Sequence, residues 1–326
     1  MAERKDYVSD QVVRWCPGCG DYAILAAVLK VLPELGIPRE KHVFISGIGC
    51  SSRFPYYVNT YGFHTIHGRA PAVASGLKCA RPDLQVWVVT GDGDGLSIGT
   101  NHLIHAMRRN VGIRILLFNN RIYGLTKGQY SPTSEKGKVT KSSPLGSIDR
   151  PINPLRIALA AECTFVARAV DTDLAHLGAM LGRAARHKGT SFLEIYQNCL
   201  VFNDGAFKAL EDRATRENNV LRLENGQPLI YGAKKDRALC WHRGDPKIVA
   251  FKPDETPDGL IFHDENAGGA YAEMLARLEP PFPTPVGVLK AVEEPPYEEL
   301  MEEQVRSAAP QELYDVLAGP DSWEVR

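Results

Sequence analysis

Short apolar runs alternating with helix-period segments predict an α/β fold: a doubly wound parallel sheet with helices on both faces. Three runs carry that expectation, "HVFISG" (42–47), "QVWVVT" (85–90) and "IRILLF" (113–118), each followed by a turn rich in Gly, Asp or Asn. They are apolar at nearly every position, as strands covered on both faces must be. The 326 residues, 44% of them hydrophobic, suffice for one large or two moderate domains.

The elements follow in order. Asp21 is placed to cap a helix whose apolar positions Ile24, Leu25, Val28, Leu29 and Leu32 recur at 3.6-residue spacing and stop near Gly36 and Pro38. The first strand ends in a Gly-rich turn, and "APAVASGLKCA" then forms a helix of small residues. After the second strand, "GDGDG" turns the chain into an amphipathic helix through His102 and Met107. The third strand stops at Asn119-Asn120. A further unit follows: strand "TFVARAV", helix "DTDLAHLGAMLGRAARH", strand "TSFLEIYQ".

Beyond about Asn198 the texture becomes charge-rich and then proline-punctuated, with Pro280, Pro281, Pro283, Pro285, Pro295 and Pro296. We therefore expect a domain over residues 1–205. Residues 206–326 would form an appended extension, with a tail that wraps a neighbour and serves as an interface.

Composition narrows the function classes. A formal net charge of −1 gives no global attraction to nucleic acid or to an anionic membrane. The N-terminal "MAERKDYVSD" lacks an apolar signal region and no run approaches the length of a membrane span, so a soluble cytoplasmic protein is expected. Seven cysteines, an odd number in such a chain, argue against a disulfide framework and for metal or catalytic use of any that cluster.

"GDGDGLSIGTNHLIHAMRRNVGIRILLFNNRIYGL" is the most informative stretch. It puts Asp92 at the end of one strand and Asn120 at the end of the next, with one helix between. In a parallel sheet these ends are neighbours, so a carboxylate and an amide oxygen converge. Such hard oxygens suit Mg²⁺ holding a diphosphate, while Gly91 and Gly93 let the backbone approach the phosphates and the helix start adds its positive end. The pattern resembles the thiamine diphosphate signature, which implies Mg²⁺ on the side chains of Asp92 and Asn120 and the carbonyl of Ile122. No G-x-G-x-x-G opens the first helix, so a nicotinamide fingerprint is excluded.

"WCPGC" has the order Cys-Pro-Gly-Cys and follows no convincing strand, unlike a thioredoxin-type dithiol. Cys50, in "SGIGCSSR", and Cys199, in "YQNC", fall at the carboxyl ends of two expected strands. With Cys16 and Cys19 they make four thiolates, suited to Zn²⁺ or an iron–sulfur cluster; spacing alone does not choose. Cys79, Cys163 and Cys240 have no partner pattern and are expected to be buried structural residues.

Taken together, "WCPGCGDYAIL", "SGIGCSSR", "HTIHGRA", "GDGDGLSIG", "FNNRIYGLTKGQYSPTS" and "YQNC" resemble the β subunit of the 2-oxoacid:ferredoxin oxidoreductases. The two-subunit type acting on 2-oxoglutarate is the most similar, and the likeness spans residues 10–205. It implies a thiamine diphosphate-binding domain of the diphosphate type, and a [4Fe–4S] cluster on Cys16, Cys19, Cys50 and Cys199. It further implies coenzyme contacts at Ile48, Gly49, Cys50, Ser51, His67, Gly93, Asp94, Gly124 and Leu125. The implied activity is oxidative decarboxylation of 2-oxoglutarate to succinyl-CoA, with coenzyme A as co-substrate and electrons passing to ferredoxin. Pyruvate or a branched-chain 2-oxoacid is the alternative substrate.

Residues 206–326 look too few and too charged for a pyrimidine-binding domain, so the activating Glu is expected from an α subunit, in an (αβ)₂ assembly. His67 is a candidate for the diphosphate or substrate, Arg53 for a substrate carboxylate, and Lys127 for substrate or coenzyme A. Lys136, Lys138 and Lys141 are read as a solvated basic loop. Two competing readings stay open: a non-redox thiamine-dependent lyase with structural zinc, and a zinc-bearing binding module in which the GDG/NN pattern is coincidental.

Overall fold

The computed structural model describes residues 2–252, 255–308, 312–319, 322, 323 and 325. Its strands are β1 (His42–Ser46), β2 (Tyr61–His64), β3 (Gln85–Gly91), β4 (Ile113–Asn119), β5 (Phe165–Val170), β6 (Ser191–Tyr196), β7 (Val220–Leu223), β8 (Ile230–Tyr231), β9 (Arg237–His242), β10 (Asp245–Ala250) and β11 (Thr284–Ala291). Eight of them form one sheet in the order β2-β1-β3-β4-β6-β5-β11-β7. The first six run parallel; β11 pairs antiparallel with β5, and β7 lies parallel to β11.

Every residue of β1, β4, β5 and β6 is buried, which explains their unbroken apolar texture. On one face, helices Ala70–Ala80, Thr100–Arg108, Pro154–Ala160 and Gly269–Ala276 pack through Ala70, Ala74, Leu103, Met107, Leu155, Ala158 and Leu275. On the other, helices Asp21–Glu34 and Leu174–Arg186 seat Ile24, Val28, Leu32, Leu177 and Leu181 against Trp87, Phe118 and Leu193. Two covered faces make the expected doubly wound arrangement.

From β1 the chain moves outward to β2, then returns to lay β3 on the opposite side of β1. Helical connections after β1 and β3 therefore leave in opposite directions. In open α/β sheets the crevice at such a switch point, outside the carboxyl ends of the strands, is where ligands bind.

The chain after residue 205, expected as an extension, is woven into this sheet through β7 and β11. Its apolar residues Leu221, Leu223, Val286, Val288 and Leu289 are buried with the rest of the core. β5 would otherwise be an exposed edge carrying the buried Arg168, whose Nε donates to Glu194 Oε2 at 2.7 Å. A covering strand shields that pair from water, and unpaired strand edges invite wrong pairing. β8, β9 and β10 form a separate three-stranded antiparallel sheet. Helix Tyr297–Ser307 is tied down by the buried Glu298, whose Oε2 accepts from the Gly112 N–H at 3.0 Å. Of the tail expected to reach a neighbour, residues 309–311, 320, 321, 324 and 326 lie outside the described residues. Among the described residues no helix is long and apolar enough to cross a membrane.

His42 opens β1 fully buried, and its Nδ1 accepts from Trp87 Nε1 at 3.3 Å. Burial holds its pKa down at about 4, against a weaker opposing hydrogen bond at Ile37. A depressed histidine is neutral when folded and protonates on unfolding, so its stabilisation is complete above pH 6.5 and is lost as pH falls toward 4. The unfolding free energy should drop by about 3 kcal/mol across that window from this residue. Urea titrations at stepped pH check this, and His42→Asn should flatten that part of the profile.

Candidate active site

Three loops meet at the carboxyl edge of the switch point: 47–51 after β1, 91–95 after β3 and 119–125 after β4. They enclose a cavity of about 500 Å³ lined by Ile48, Gly49, Cys50, Ser51, His67, Gly91, Asp92, Gly93, Asp94, Asn120, Ile122, Tyr123, Gly124 and Leu125, among others. That volume suits a cofactor-sized ligand. Every residue expected to contact the coenzyme or its Mg²⁺ therefore falls on one wall system, although the residues come from four separate connections, His67 being in the turn after β2.

Asp94 ties these loops together. Its Oδ1 accepts the Ile48 N–H at 3.0 Å and the Gly68 N–H at 2.7 Å, and His67 Nδ1 lies 2.9 Å from the same oxygen. Its Oδ2 accepts from Thr90 Oγ1 at 2.6 Å. A buried carboxylate with several donors is stable where it sits and holds every donor in place. The side chain expected at the coenzyme is thus also the clamp between the 47–51 loop and the "HGR" turn.

Asp92 is buried at the start of the short helical turn Asp92–Gly95. Its Oδ2 accepts from Ser131 Oγ and from Thr133 Oγ1, the latter at 2.7 Å. Burial raises its pKa, and these hydrogen bonds oppose the rise. Asn120 turns its Oδ1 back to accept the Ile122 N–H at 3.1 Å, which shapes the turn after β4. A carboxylate, an amide oxygen and a nearby carbonyl form a donor set that fits Mg²⁺. Gly93 is required by close approach. A Cβ there would lie 2.2 Å from the Tyr123 ring, whose hydroxyl donates to the Gly93 carbonyl at 2.9 Å.

The four cysteines come from three loops that pack on one another. Trp15 Nε1 donates to the Cys50 carbonyl at 2.7 Å, docking the "WCPGC" loop over "GIGC". A Cβ on Gly124 would sit 3.5 Å from Cys50 Sγ and 3.6 Å from Cys199 Sγ, so both sulfurs face that glycine. Cys16 is exposed, whereas Cys19, Cys50 and Cys199 are half-buried, and none is in a disulfide. Burial pushes the Cys50 thiol up to about 12, with Asp21, Cys199 and Cys16 adding to the rise. Cysteine thiolates brought to one edge of the sheet are a donor set whose chemistry fits a positively charged metal group. Among the described residues, no three His, Cys, Asp or Glu side chains are arranged around a single ion.

Some expected placements differ. Gly20, not Asp21, is the N-cap of helix Asp21–Glu34; Asp21 is its first residue and caps nothing. Its carboxyl is instead buried in the cavity wall with Oδ2 unpartnered, and burial pushes its pKa to about 7. Helix-start statistics favour the cap reading, and only the packing of the Cys19 loop shows otherwise. Arg53 and Lys127 do not line the cavity. Arg53 Nη1 donates to the Arg14 carbonyl at 3.2 Å, and Lys127 is exposed on a turn with φ +77°. Lys138 Nζ donates to Asn203 Oδ1. No sequence signal marks Thr133 and Ser131, whose roles depend on how the 126–134 loop folds back over Asp92, or Tyr123, whose hydroxyl meets the Gly93 carbonyl across two loops.

A parallel α/β domain with a cofactor-sized cavity at its switch point, walled by Asp92 and Asn120, has the form of a thiamine diphosphate-binding domain. Accordingly, residues 47–195 match the family model described as thiamine pyrophosphate enzyme, C-terminal TPP binding domain. The chain is 54% identical over 330 residues to 2-oxoglutarate oxidoreductase subunit KorB of Mycobacterium tuberculosis, covering 98% of this chain and 88% of that one. It is 47% identical over 276 residues to 2-oxoacid:ferredoxin oxidoreductase 1, subunit beta, of Aeropyrum pernix, covering 82% and 83% respectively. Among solved structures it superposes on 2-oxoglutarate:ferredoxin oxidoreductase from Magnetococcus marinus, which carries 2-oxoglutarate, coenzyme A and succinyl-CoA. The TM-score is 0.78 at 33% identity, over 98% of this chain and 97% of that chain. The chain belongs to the family of 2-oxoacid:ferredoxin oxidoreductase β subunits.

Replacing Asp94 by Asn leaves one oxygen where two served three donors. Asp94→Asn should cost about 1–3 kcal/mol of stability, from buried donors left unpaired. It should also abolish most of the rise in melting temperature that thiamine diphosphate plus Mg²⁺ produces in the parent protein, as thermal melts with and without ligand would show.

Proposed function

We propose that this chain is the β subunit of a thiamine diphosphate-dependent 2-oxoglutarate:ferredoxin oxidoreductase of the cytoplasm. It would convert 2-oxoglutarate and coenzyme A to succinyl-CoA and CO₂, passing electrons to ferredoxin, and the chemistry would also run as carboxylation. The observation that carries this reading is the double role of one loop. The backbone of residues 48–51 lines the coenzyme cavity, while Cys50 Sγ on the same loop faces Gly124 beside Cys199. Electron source and electron acceptor would share a wall. The relatives' names and the substrates in the Magnetococcus structure support the choice of 2-oxoglutarate.

In this proposal the side chains of Asp92 and Asn120 and the Ile122 carbonyl hold Mg²⁺. Cys16, Cys19, Cys50 and Cys199 hold a [4Fe–4S] cluster. When bound, thiamine diphosphate supplies the electron sink for decarboxylation, and the cluster supplies one-electron acceptance. The chain's own residues prepare the site. Asp94 fixes the 47–51 loop and the turn after His67, Gly93 keeps the floor open, and His67, its Nδ1 2.9 Å from Asp94 Oδ1, lines the cavity as the candidate for a diphosphate or substrate oxygen. Arg53 lies outside the cavity lining but within electrostatic reach of Cys50, and is the candidate for a substrate carboxylate, a guanidinium being suited to that fork. Lys127 is held on the turn after the Mg²⁺ loop, where an exposed cation can meet substrate or coenzyme A.

The cavity wall supplies Asp21 but no glutamate to activate an aminopyrimidine. That Glu is assigned to an α subunit, and the assembly proposed is (αβ)₂. Anaerobic co-expression with the α subunit, then dye reduction with 2-oxoglutarate, pyruvate and a branched-chain 2-oxoacid in turn, tests the proposal. Reduction should require both chains, coenzyme A and 2-oxoglutarate. Cys50→Ala should lower it at least about a hundredfold, a barrier increase of about 2.7 kcal/mol or more. Thiamine diphosphate binding should be preserved in that variant. Reduction by pyruvate alone would change the substrate. A complex with coenzyme and zinc but no dye reduction would favour the lyase reading.

A further inference from the structure

Gln197 sits in the turn between β6 and Cys199, 1% exposed, with its backbone N–H on the Asn119 carbonyl at 3.1 Å. Its side chain lies against the Cys19 loop: a Cβ on Gly20 would be 2.9 Å from Gln197 Cγ. Nε2 donates to the Asn198 carbonyl at 2.7 Å, and the same nitrogen is 3.2 Å from Cys19 Sγ. The first contact settles the amide's orientation, since an oxygen in that place would repel the Asn198 carbonyl. The second N–H is thereby aimed at sulfur. Among the described residues Gln197 is the one side chain whose N–H reaches any of the four cysteine sulfurs. Its Oε1 finds no partner, so the amide is not there to bridge two backbone segments. Two buried carboxyls, Asp21 and Asp171, lie in the same region, 1% and 2% exposed.

Cluster reduction adds negative charge that is shared by the sulfur ligands. An N–H aimed at a ligand sulfur stabilises the reduced form and raises the potential. We propose that Gln197 is a positioning residue that, through Cys19, raises the reduction potential of the cluster. This rests on the assignment of the four cysteines to an iron–sulfur cluster. A potential held up in this way would favour electron removal from the coenzyme side at the start of the relay.

The test uses the anaerobically purified, cluster-loaded complex with the α subunit, followed by electron paramagnetic resonance during an equilibrium redox titration. Gln197→Met keeps the length and loses the donor; Gln197→Glu replaces the donor by oxygen. Both should retain full iron and sulfide yet show a midpoint shifted to lower potential, further in Gln197→Glu if its carboxyl is ionised. An unchanged or higher midpoint in the cluster-bearing Gln197→Met protein overturns the proposal. Loss of the cluster from both variants overturns it too, because the residue would then be needed for assembly. Parent complex without iron or a resonance signal would instead sink the cluster assignment, and this inference with it.

Discussion

The Asp94 carboxylate is the contact on which the site depends. One buried side chain accepts from the backbone at Ile48 and Gly68 and from Thr90, and lies against His67. Those partners belong to the loop after β1, to the turn that opens helix Ala70–Ala80, and to β3 itself. Without an anion at that point, two backbone N–H groups would be buried unpaired, and neither loop would keep its course beside the cavity. The loop after β1 carries Cys50, so the same carboxylate also sets where that sulfur lies.

The sheet makes this possible by bringing its carboxyl ends into line. β1 pairs with β3 and β3 with β4 along parallel registers, Ser46 beside Val89 and Gly91 beside Phe118. The turns that follow therefore emerge at one level. From that level Asp92 and Asn120 contribute oxygen, the 48–51 backbone contributes a wall, and β6 delivers Gln197 and Cys199 from one strand further on. Parallel strands require crossovers, and each crossover here returns the chain to the same edge with a new functional group.

A second polar system lies beneath the first. Glu194 Oε2 accepts from Arg168 and its Oε1 from Asn119 Nδ2, and Asn119 Oδ1 lies 2.9 Å from Thr133 Oγ1, which also bonds Asp92. A charge pair deep in a sheet is tolerable only when its lone pairs and protons are satisfied. β11 and β7 shut water out on the far side. The chain after residue 205 thus reinforces the floor of a site to which it contributes none of the residues expected to bind the coenzyme or the cluster.

Much was legible in the chain itself. The apolar runs at 42–46, 85–90 and 113–118 announce parallel strands because burial on both faces leaves no polar alternation. Asp92 and Asn120 are recognisable because each follows a strand directly, so position along the sheet is nearly position in space. Cys50 and Cys199 could be placed near one another for the same reason, both lying at strand ends. What tertiary structure alone decided is set by contacts between distant segments. Asp21 looks like a helix cap until the Cys19 loop packs over it and buries its carboxyl. Thr133 and Ser131 reach Asp92 only because a loop folds back about forty residues later. β7 and β11 read as part of an appended extension, since a short edge strand carries little periodic signal and its partner is chosen by the edge it covers. Strand and helix type follow from local burial pattern, whereas the partner of a buried polar atom depends on which remote segment arrives to meet it.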